Sequence, residues 1–281
     1  MRPTNYPECG GDCYTAFEQL PGVYHIRSNY GELVFLTLLV GTERALLVDT
    51  GHGYGDLPGF IRSLTSLPLT VVCTHGHSDH NGGNFHFPEA WQFHCDLGVT
   101  DWSRCQEING NVLDFCPPEE FGGFDAEAYL HYDPATTLPL EDGQVFDLGG
   151  MTAKTILVGN HSPGSCAFLV PERSLLVAGD AVGPAVSIAN PESCSVEKHV
   201  SLLQEIQKLP FDWILSGHSD RLVPKKEMQS YIDVATHLEE AGHCSYRSTL
   251  YPSYANRMYF YTNEAGDTGV LILQKPKGAK R

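Results

Sequence analysis

Residues 74–83 read Thr-His-Gly-His-Ser-Asp-His-Asn-Gly-Gly, which packs three histidines and one aspartate into the six positions His75 to His80. Such a stretch fits badly in an apolar core, where every polar or ionisable group needs a partner, and does little on a surface. Metal coordination supplies a physical reason for it. Neutral imidazole nitrogens and carboxylate oxygens both bind zinc at about 2 Å, and alternation projects His75 and His77 to the same side of an extended or turning loop. Asp79 and His80 then point elsewhere, toward a second ion. The apolar run Leu69, Val71, Val72, Cys73 ahead of the cluster and the Gly82-Gly83 turn behind it mark a strand-to-loop exit, where sites concentrate. A solvated loop that is merely histidine-rich is the plain alternative.

Two ions need more than four donors, and the rest of the chain offers them in similar settings. His161 lies in Asn-His-Ser-Pro-Gly-Ser, a turn-forming run after the apolar Thr155, Ile156, Leu157, Val158. Asp180 closes Leu175-Leu176-Val177-Ala178-Gly179-Asp180, and His218 follows Trp213-Ile214-Leu215-Ser216-Gly217. Each alone is weak, because strands commonly end on polar residues. Together, four separate strand ends carry seven candidate ligands.

With these residues in hand, the chain resembles the metallo-beta-lactamase fold hydrolases, in which His-x-His-x-Asp-His, then His, Asp and His, build a dinuclear site. The resemblance implies that His75, His77 and His161 hold one metal, that Asp79, His80 and His218 hold the other, and that Asp180 bridges them. Asp49, in Leu46-Leu47-Val48-Asp49-Thr50-Gly51, matches the family's early strand-Asp-Thr-Gly element, where the carboxylate orients a ligand imidazole. The match spans about residues 20–220. It implies an α/β fold, a four-layer αββα sandwich with the metals at one edge of the two sheets. The implied cofactors are two divalent ions, zinc first, with iron or manganese as alternatives.

The chemistry such a site supports is hydrolysis by a metal-activated hydroxide, with Asp79 as the catalytic residue that orients the hydroxide and moves a proton. The expected substrate is a small molecule with an ester, thioester or lactone bond; phosphodiester cleavage comes second. Departures from particular subfamilies narrow this. The common two-zinc beta-lactamases carry Cys where Asp180 stands, and flavodiiron proteins carry Glu where His77 stands. Hydroxyacylglutathione hydrolase keeps all seven ligands, but its basic glutathione-binding tail has no counterpart in the Tyr-rich end here. Quorum-signal lactonases also keep all seven, with a tyrosine where this chain has Gly183. A mononuclear iron sulfur dioxygenase and a non-catalytic metal-binding protein are the rival readings.

Composition bounds the partners. Lys and Arg total 18 against 34 Asp and Glu, a formal charge of -16, which disfavours nucleic acid. The basic tail Lys275, Lys277, Lys280, Arg281 reads as a solvated end. No segment reaches the roughly 18 apolar residues of a membrane span, and Met1 to Gly22 lacks an apolar signal region, so no membrane association and a cytoplasmic location are expected. Nine cysteines at irregular spacing fit free thiols. Cys9 and Cys13 have the spacing for a metal or a disulfide, but two thiols do not complete a structural zinc site. A chain of 281 residues with 42% hydrophobic content is compatible with a single domain, here 1–281.

Periodicity predicts strands near 22–28, 32–40, 44–49 and 69–73, with a helix near 56–66. In the second half it predicts strands near 144–148, 151–158, 166–170, 173–179 and 212–216, and helices near 196–208 and 225–240. Val196, His199, Leu202, Leu203 and Ile206 keep a helical apolar face, which puts His199 at the edge of packing rather than among the ligands. Met258 to Tyr261 and Val270 to Leu273 read as a hairpin that completes a sheet edge or pairs with another subunit in a homodimer. Residues 96–135 show no strong strand pattern and hold Trp102, Phe115, Phe121, Phe124, Tyr129 and Tyr132, either a lid-like insert over the pocket or a helical pair packed on the sheet. His52 and Tyr54 sit where they could reach the pocket mouth or serve as ordinary loop structure.

Overall fold

The computed structural model describes residues 8–10, 13–29, 33–101, 135–248 and 255–274. Eight strands follow one another across a first sheet in chain order: Glu8–Gly10, Tyr14–Leu20, Val23–Ser28, Phe35–Val40, Ala45–Val48, Leu69–Val72, Glu89–Gln92 and Thr136–Pro139. The first five pair antiparallel, and from Ala45–Val48 onward the pairing is parallel. Parallel neighbours need a crossover, and the helix Leu57–Leu64 provides the first. It starts where it does because Asp56 caps it, accepting from the Gly59 amide at 2.9 Å, and because Pro58 suits a first turn.

The second sheet runs, in spatial order, Val223–Pro224, Trp213–Ser216, Leu175–Gly179, Cys166–Val170, Thr152–Leu157 and Val145–Asp147. Its parallel pair, Leu175–Gly179 with Trp213–Ser216, is connected through the helix Val196–Ile206.

Strand alternation decides how the layers stack. Leu39, Leu46, Val48 and Val72 of the first sheet pack in one cluster with Phe168, Val170, Leu175 and Val177 of the second. The intervening residues Leu36, Leu38, Leu47 and Val71 pack outward on Leu57 and Ile61. On the far side, Ala167, Leu169, Leu176 and Ala178 pack on Leu203, Ile206, Met228 and Ile232. The order is therefore helix, sheet, sheet, helix, the four-layer αββα sandwich expected from the resemblance. Truncating an interior leucine such as Leu46 to Ala costs about 2–5 kcal/mol in sites of this kind.

The predicted hairpin forms, as Asn256–Thr262 with Thr268–Gln274, but it completes neither large sheet. Gly242–Tyr246 and Ala185–Ser187 flank it, making a separate four-stranded sheet. One face of that sheet packs Val186 and Leu271 onto Val234 and Ala235 of the helix Met228–Thr236. That helix is shorter than the predicted 225–240, because residues before it form the strand end Val223–Pro224 and the single turn Lys225–Glu227. No described helix is long and apolar enough to cross a membrane. Of the aromatic insert, residues 102–134 lie outside the described residues, as do the tail from 275 and the side chain of Cys9.

Candidate metal centre

Four strand ends converge at one edge of the sandwich, as the sequence pattern requires. Leu69–Val72 runs into His75, after which a single helical turn, Ser78–Asn81, begins with His77 as its N-cap. That turn, rather than extended alternation, sends Asp79 and His80 away from His75 and His77. Thr152–Leu157 leads to His161, Leu175–Gly179 to Asp180, and Trp213–Ser216 to His218. Ligand atoms of three overlapping groups lie within 4.8 Å of one another: His75 with His77 and His161, Asp79 with His80 and His218, and His75 with His80 and Asp180. All seven residues singled out in the sequence are thus brought together.

The distances are those of ligands around common points. His77 Nδ1 lies 3.0 Å from His75 Nε2 and 2.9 Å from His161 Nε2. Asp79 Oδ2 lies 3.4 Å from His218 Nε2 and 3.6 Å from His80 Nε2. Asp180 spans the two groups, with Oδ1 at 3.3 Å from His80 Nε2 and Oδ2 at 3.6 Å from His161 Nε2 and 3.1 Å from His218 Nε2. His75 sits nearer the middle than a clean division implies, its ring centroid 4.2 Å from that of His80.

What turns these nitrogens into donors for a cation is behind the rings. Each of the five imidazoles is held by its other nitrogen. His161 Nδ1 donates to the Ser187 carbonyl at 2.5 Å, and His218 Nδ1 to the Leu33 carbonyl at 2.6 Å. His80 Nδ1 donates to Asp49 Oδ2 at 2.8 Å, and His77 Nε2 to Glu192 Oε1 at 2.9 Å. The Thr74 hydroxyl gives its hydrogen to Asp49 Oδ2 at 2.8 Å and therefore accepts from His75 Nδ1 at 3.0 Å. With each outer nitrogen engaged in this way, all five inner nitrogens face the site, and each offers a lone pair when its ring is neutral.

A family model, described as the metallo-beta-lactamase superfamily, matches residues 30–218. The chain belongs to the metallo-beta-lactamase superfamily. A curated relative, acyl-coenzyme A thioesterase MBLAC2 of Gallus gallus, is 24% identical over 253 residues, 81% of this chain and 87% of that protein. Matches to its Bos taurus and Homo sapiens counterparts cover 63% of those proteins. The probable metallo-hydrolase YqgX of Bacillus subtilis is 26% identical over 64% of this chain and 82% of its own. Among solved structures, a metallo beta lactamase from Erythrobacter litoralis superposes with TM-score 0.58 at 16% identity, covering 82% of this chain and 99% of that one. At that identity the likeness is one of fold.

Whether this member's residues fit a divalent metal can be tested on its own polar atoms. Asp79 Oδ1 and Asp180 Oδ1 are buried and have no hydrogen-bond partner. Among the described residues no Lys or Arg pairs with either carboxylate; their only ion-pair contacts are histidines. Buried anions without a cation are costly, and tetrahedral ligands at zinc distances would stand about 3.3 Å apart, close to the separations seen. The donor set fits. The electrostatics divide the rings. Burial opposes protonation of His80 and His218, but Asp180 and Asp79 raise both well above the ordinary imidazole range. Burial, then the neighbouring imidazoles, holds His75 well below that range, and burial with His77 lowers His161.

Asp49 does more than the resemblance implies. Its carboxylate accepts from the Thr74 amide at 2.7 Å as well as from the Thr74 hydroxyl and His80. Its backbone lies at φ 66°, rare for a non-glycine residue and sustained only where several bonds over-determine it. Gly217 allows the His218 loop to close: a Cβ there would meet His80 Cε1 at 2.5 Å and Asp180 Oδ1 at 2.6 Å.

Two supporting carboxylates carry no signal in the sequence. Glu192 lies in a loop with no pattern to mark it. Asp96 fell at the edge of the insert, yet it is fully buried and ties the His75-Gly76-His77 loop to the His161 loop. It accepts from the Gly76 amide at 2.9 Å, the Ser162 hydroxyl at 2.6 Å and the Gly164 amide at 2.5 Å. A run of apolar residues gives a pattern; a lone buried carboxylate gives none. His199 is not at the edge of packing but buried, its Nδ1 3.1 Å from the Asn160 side-chain nitrogen, and burial lowers it to about 4. His52 and Tyr54 do not reach the pocket; they are buried and stacked on each other at 5.2 Å.

Proposed function

We propose that the chain is a metal-dependent hydrolase acting on an acyl ester, thioester or lactone through a two-metal centre. The observation that carries this reading is the cluster of five imidazoles and two carboxylates, of which His77, His161, His218, Asp79 and Asp180 line a cavity of about 260 Å³. The thioesterase and metallo-hydrolase names of the relatives support hydrolysis, and the first of them favours a thioester. His75, His77 and His161 would hold one ion and Asp79, His80 and His218 the other, with Asp180 between them. Zinc suits imidazole and carboxylate donors. When bound, divalent ions polarise a substrate carbonyl and bring the pKa of a held water toward neutrality.

The chain's own residues supply the rest. Burial alone would raise the Asp79 carboxyl, but His80 and His218 hold it well below the ordinary range, so it is an anion at neutral pH. Its Oδ1, having no protein donor, is open to accept a hydrogen bond from an attacking water and turn that oxygen's lone pair toward the substrate carbon. The same oxygen is placed to take the proton and pass it to the departing alkoxide or thiolate. His218, about a third exposed, stands at the entrance, while the other ligands lie deeper and drier.

Metal analysis combined with a panel of chromogenic esters, thioesters, lactones and phosphodiesters tests the reading. Asp180→Ala should lose both metal content and turnover. Undiminished turnover in that variant would sink the assignment.

A further inference from the structure

The cavity has a second side. Beyond the donor cluster it is lined by Ala185, Met258, Ile272, Tyr246 and the polar Ser187, Asn190 and Ser248, with Leu33 as well. Apart from Leu33, these residues sit on or beside the small C-terminal sheet, and register explains why they share a face. Ser187 pairs with Ile272, Ile272 with Met258, and Met258 with Cys244. Residues directly opposite across strands project to one side. The alternate set, Val186, Leu271 and Tyr259, faces the helix Met228–Thr236. The sheet thus has one face committed to packing and one turned to the cavity.

The cavity face begins at the metal centre, since the Ser187 carbonyl is what holds His161. From there it runs across Ile272 and Met258, with Phe260 two positions further along the strand and 44% exposed. Leu33 is 50% exposed beside the same cavity. Large side chains with that much apolar surface, placed next to polar chemistry, mark contact with an apolar ligand. Among the described lining residues there is no Lys or Arg to attract an acidic acyl group. Resting on the hydrolase reading above, we propose that this face is the acyl-binding wall and that the substrate is an ester or thioester with an extended apolar acyl chain. The chain lies across the C-terminal sheet with its carbonyl at the donor cluster.

The test uses the metal-loaded protein with a series of thioesters from acetyl to octanoyl, and calorimetric titration with octanoate. A sheet face covers one side of the chain, so kcat/KM should rise about twofold per added methylene, roughly half the increment of full burial. Met258→Ser should lower the octanoyl-to-acetyl ratio about fivefold and weaken octanoate binding, while Met258→Leu restores both. Turnover with no dependence on chain length, or a ratio that Met258→Ser leaves unchanged, overturns the wall and leaves the hydrolase reading standing. Octanoate binding that responds to Met258→Ser, without turnover of any thioester or of the corresponding esters and lactones, keeps the wall and overturns the hydrolase reading. Neither binding nor turnover removes both.

Discussion

Glu192 Oε1 lies 2.9 Å from Nε2 of His77, a contact between residues 115 positions apart that leaves Nδ1 of the same ring as the one facing the site. The other four ligand histidines face it through Nε2. Glu192→Ala should therefore free the ring to take the wrong tautomer. Outer partners of ligand histidines commonly account for a factor of 10–100 in metal affinity. Competition against a chromogenic chelator should show a loss of about that size, with Glu192→Gln losing less because its carbonyl still accepts. Equal affinity in all three proteins would rule out the positioning role.

Gly217→Ala tests how tightly the second group is packed. The added methyl would press on His80 and Asp180, and backbone there is anchored by the Phe35 amide donating to the Gly217 carbonyl at 2.8 Å. The side chains must give way. On the two-metal reading, metal content should fall from about two ions per chain to about one, because none of the atoms nearest the added methyl belongs to His75, His77 or His161. Full loading in the variant would show that the His218 loop has more room than this.

Removing the Asp96 carboxylate leaves the Gly76 and Gly164 amides buried without an acceptor and turns the Ser162 hydroxyl back on Ser165 Oγ, 2.9 Å away. An orphaned buried donor costs about 1–3 kcal/mol. Asp96→Ala should cost about 3 kcal/mol or more by denaturant unfolding of the metal-free protein, a setting that separates structural loss from metal loss. A loss below about 1 kcal/mol would mean that water replaces the carboxylate without strain.

Acid should act through His25. The ring is buried, stacked on Phe35 at 4.5 Å, with Nε2 donating to the Ser219 carbonyl and Nδ1 accepting from Thr37. Burial pushes it down to about 4. The folded state thus keeps His25 neutral while the unfolded chain protonates it from about pH 6.5 downward. The stabilisation is complete above about 6.5 and is lost progressively as pH falls toward about 4, for a total near 3 kcal/mol. The pH slope of urea unfolding over that window should be shallower in His25→Gln than in wild type. Parallel slopes would exonerate His25.

How much of this could be read from the chain differs by element. Strands that bury both faces, such as Ala45–Val48 and Leu175–Gly179, are continuous apolar runs and were placed within two residues. Tyr14–Leu20 and Glu89–Gln92 were missed because polar residues interrupt them: Thr15 and Gln19 in one, Gln92 in the other, all buried and so not alternating with solvent. Ala185–Ser187 is too short to show any period. The seven clustered residues are legible because four form one dense motif behind an apolar run and the other three each follow an apolar run of their own. Glu192 and Asp96 were not, because hydrogen bonds over long sequence separations leave no local trace.

The seven donors divide between the two sheets: His75, His77, Asp79 and His80 follow a strand of the first, and His161, Asp180 and His218 follow strands of the second. Neither half of the chain owns a complete set for two ions. A nascent or partly unfolded chain offers at most His75, His77, Asp79 and His80 from one short loop, a weak and unselective chelator. On the two-metal reading proposed above, high-affinity capture would have to wait until the sheets dock, so metallation would report finished tertiary assembly and each ion would act as a rivet between the two halves.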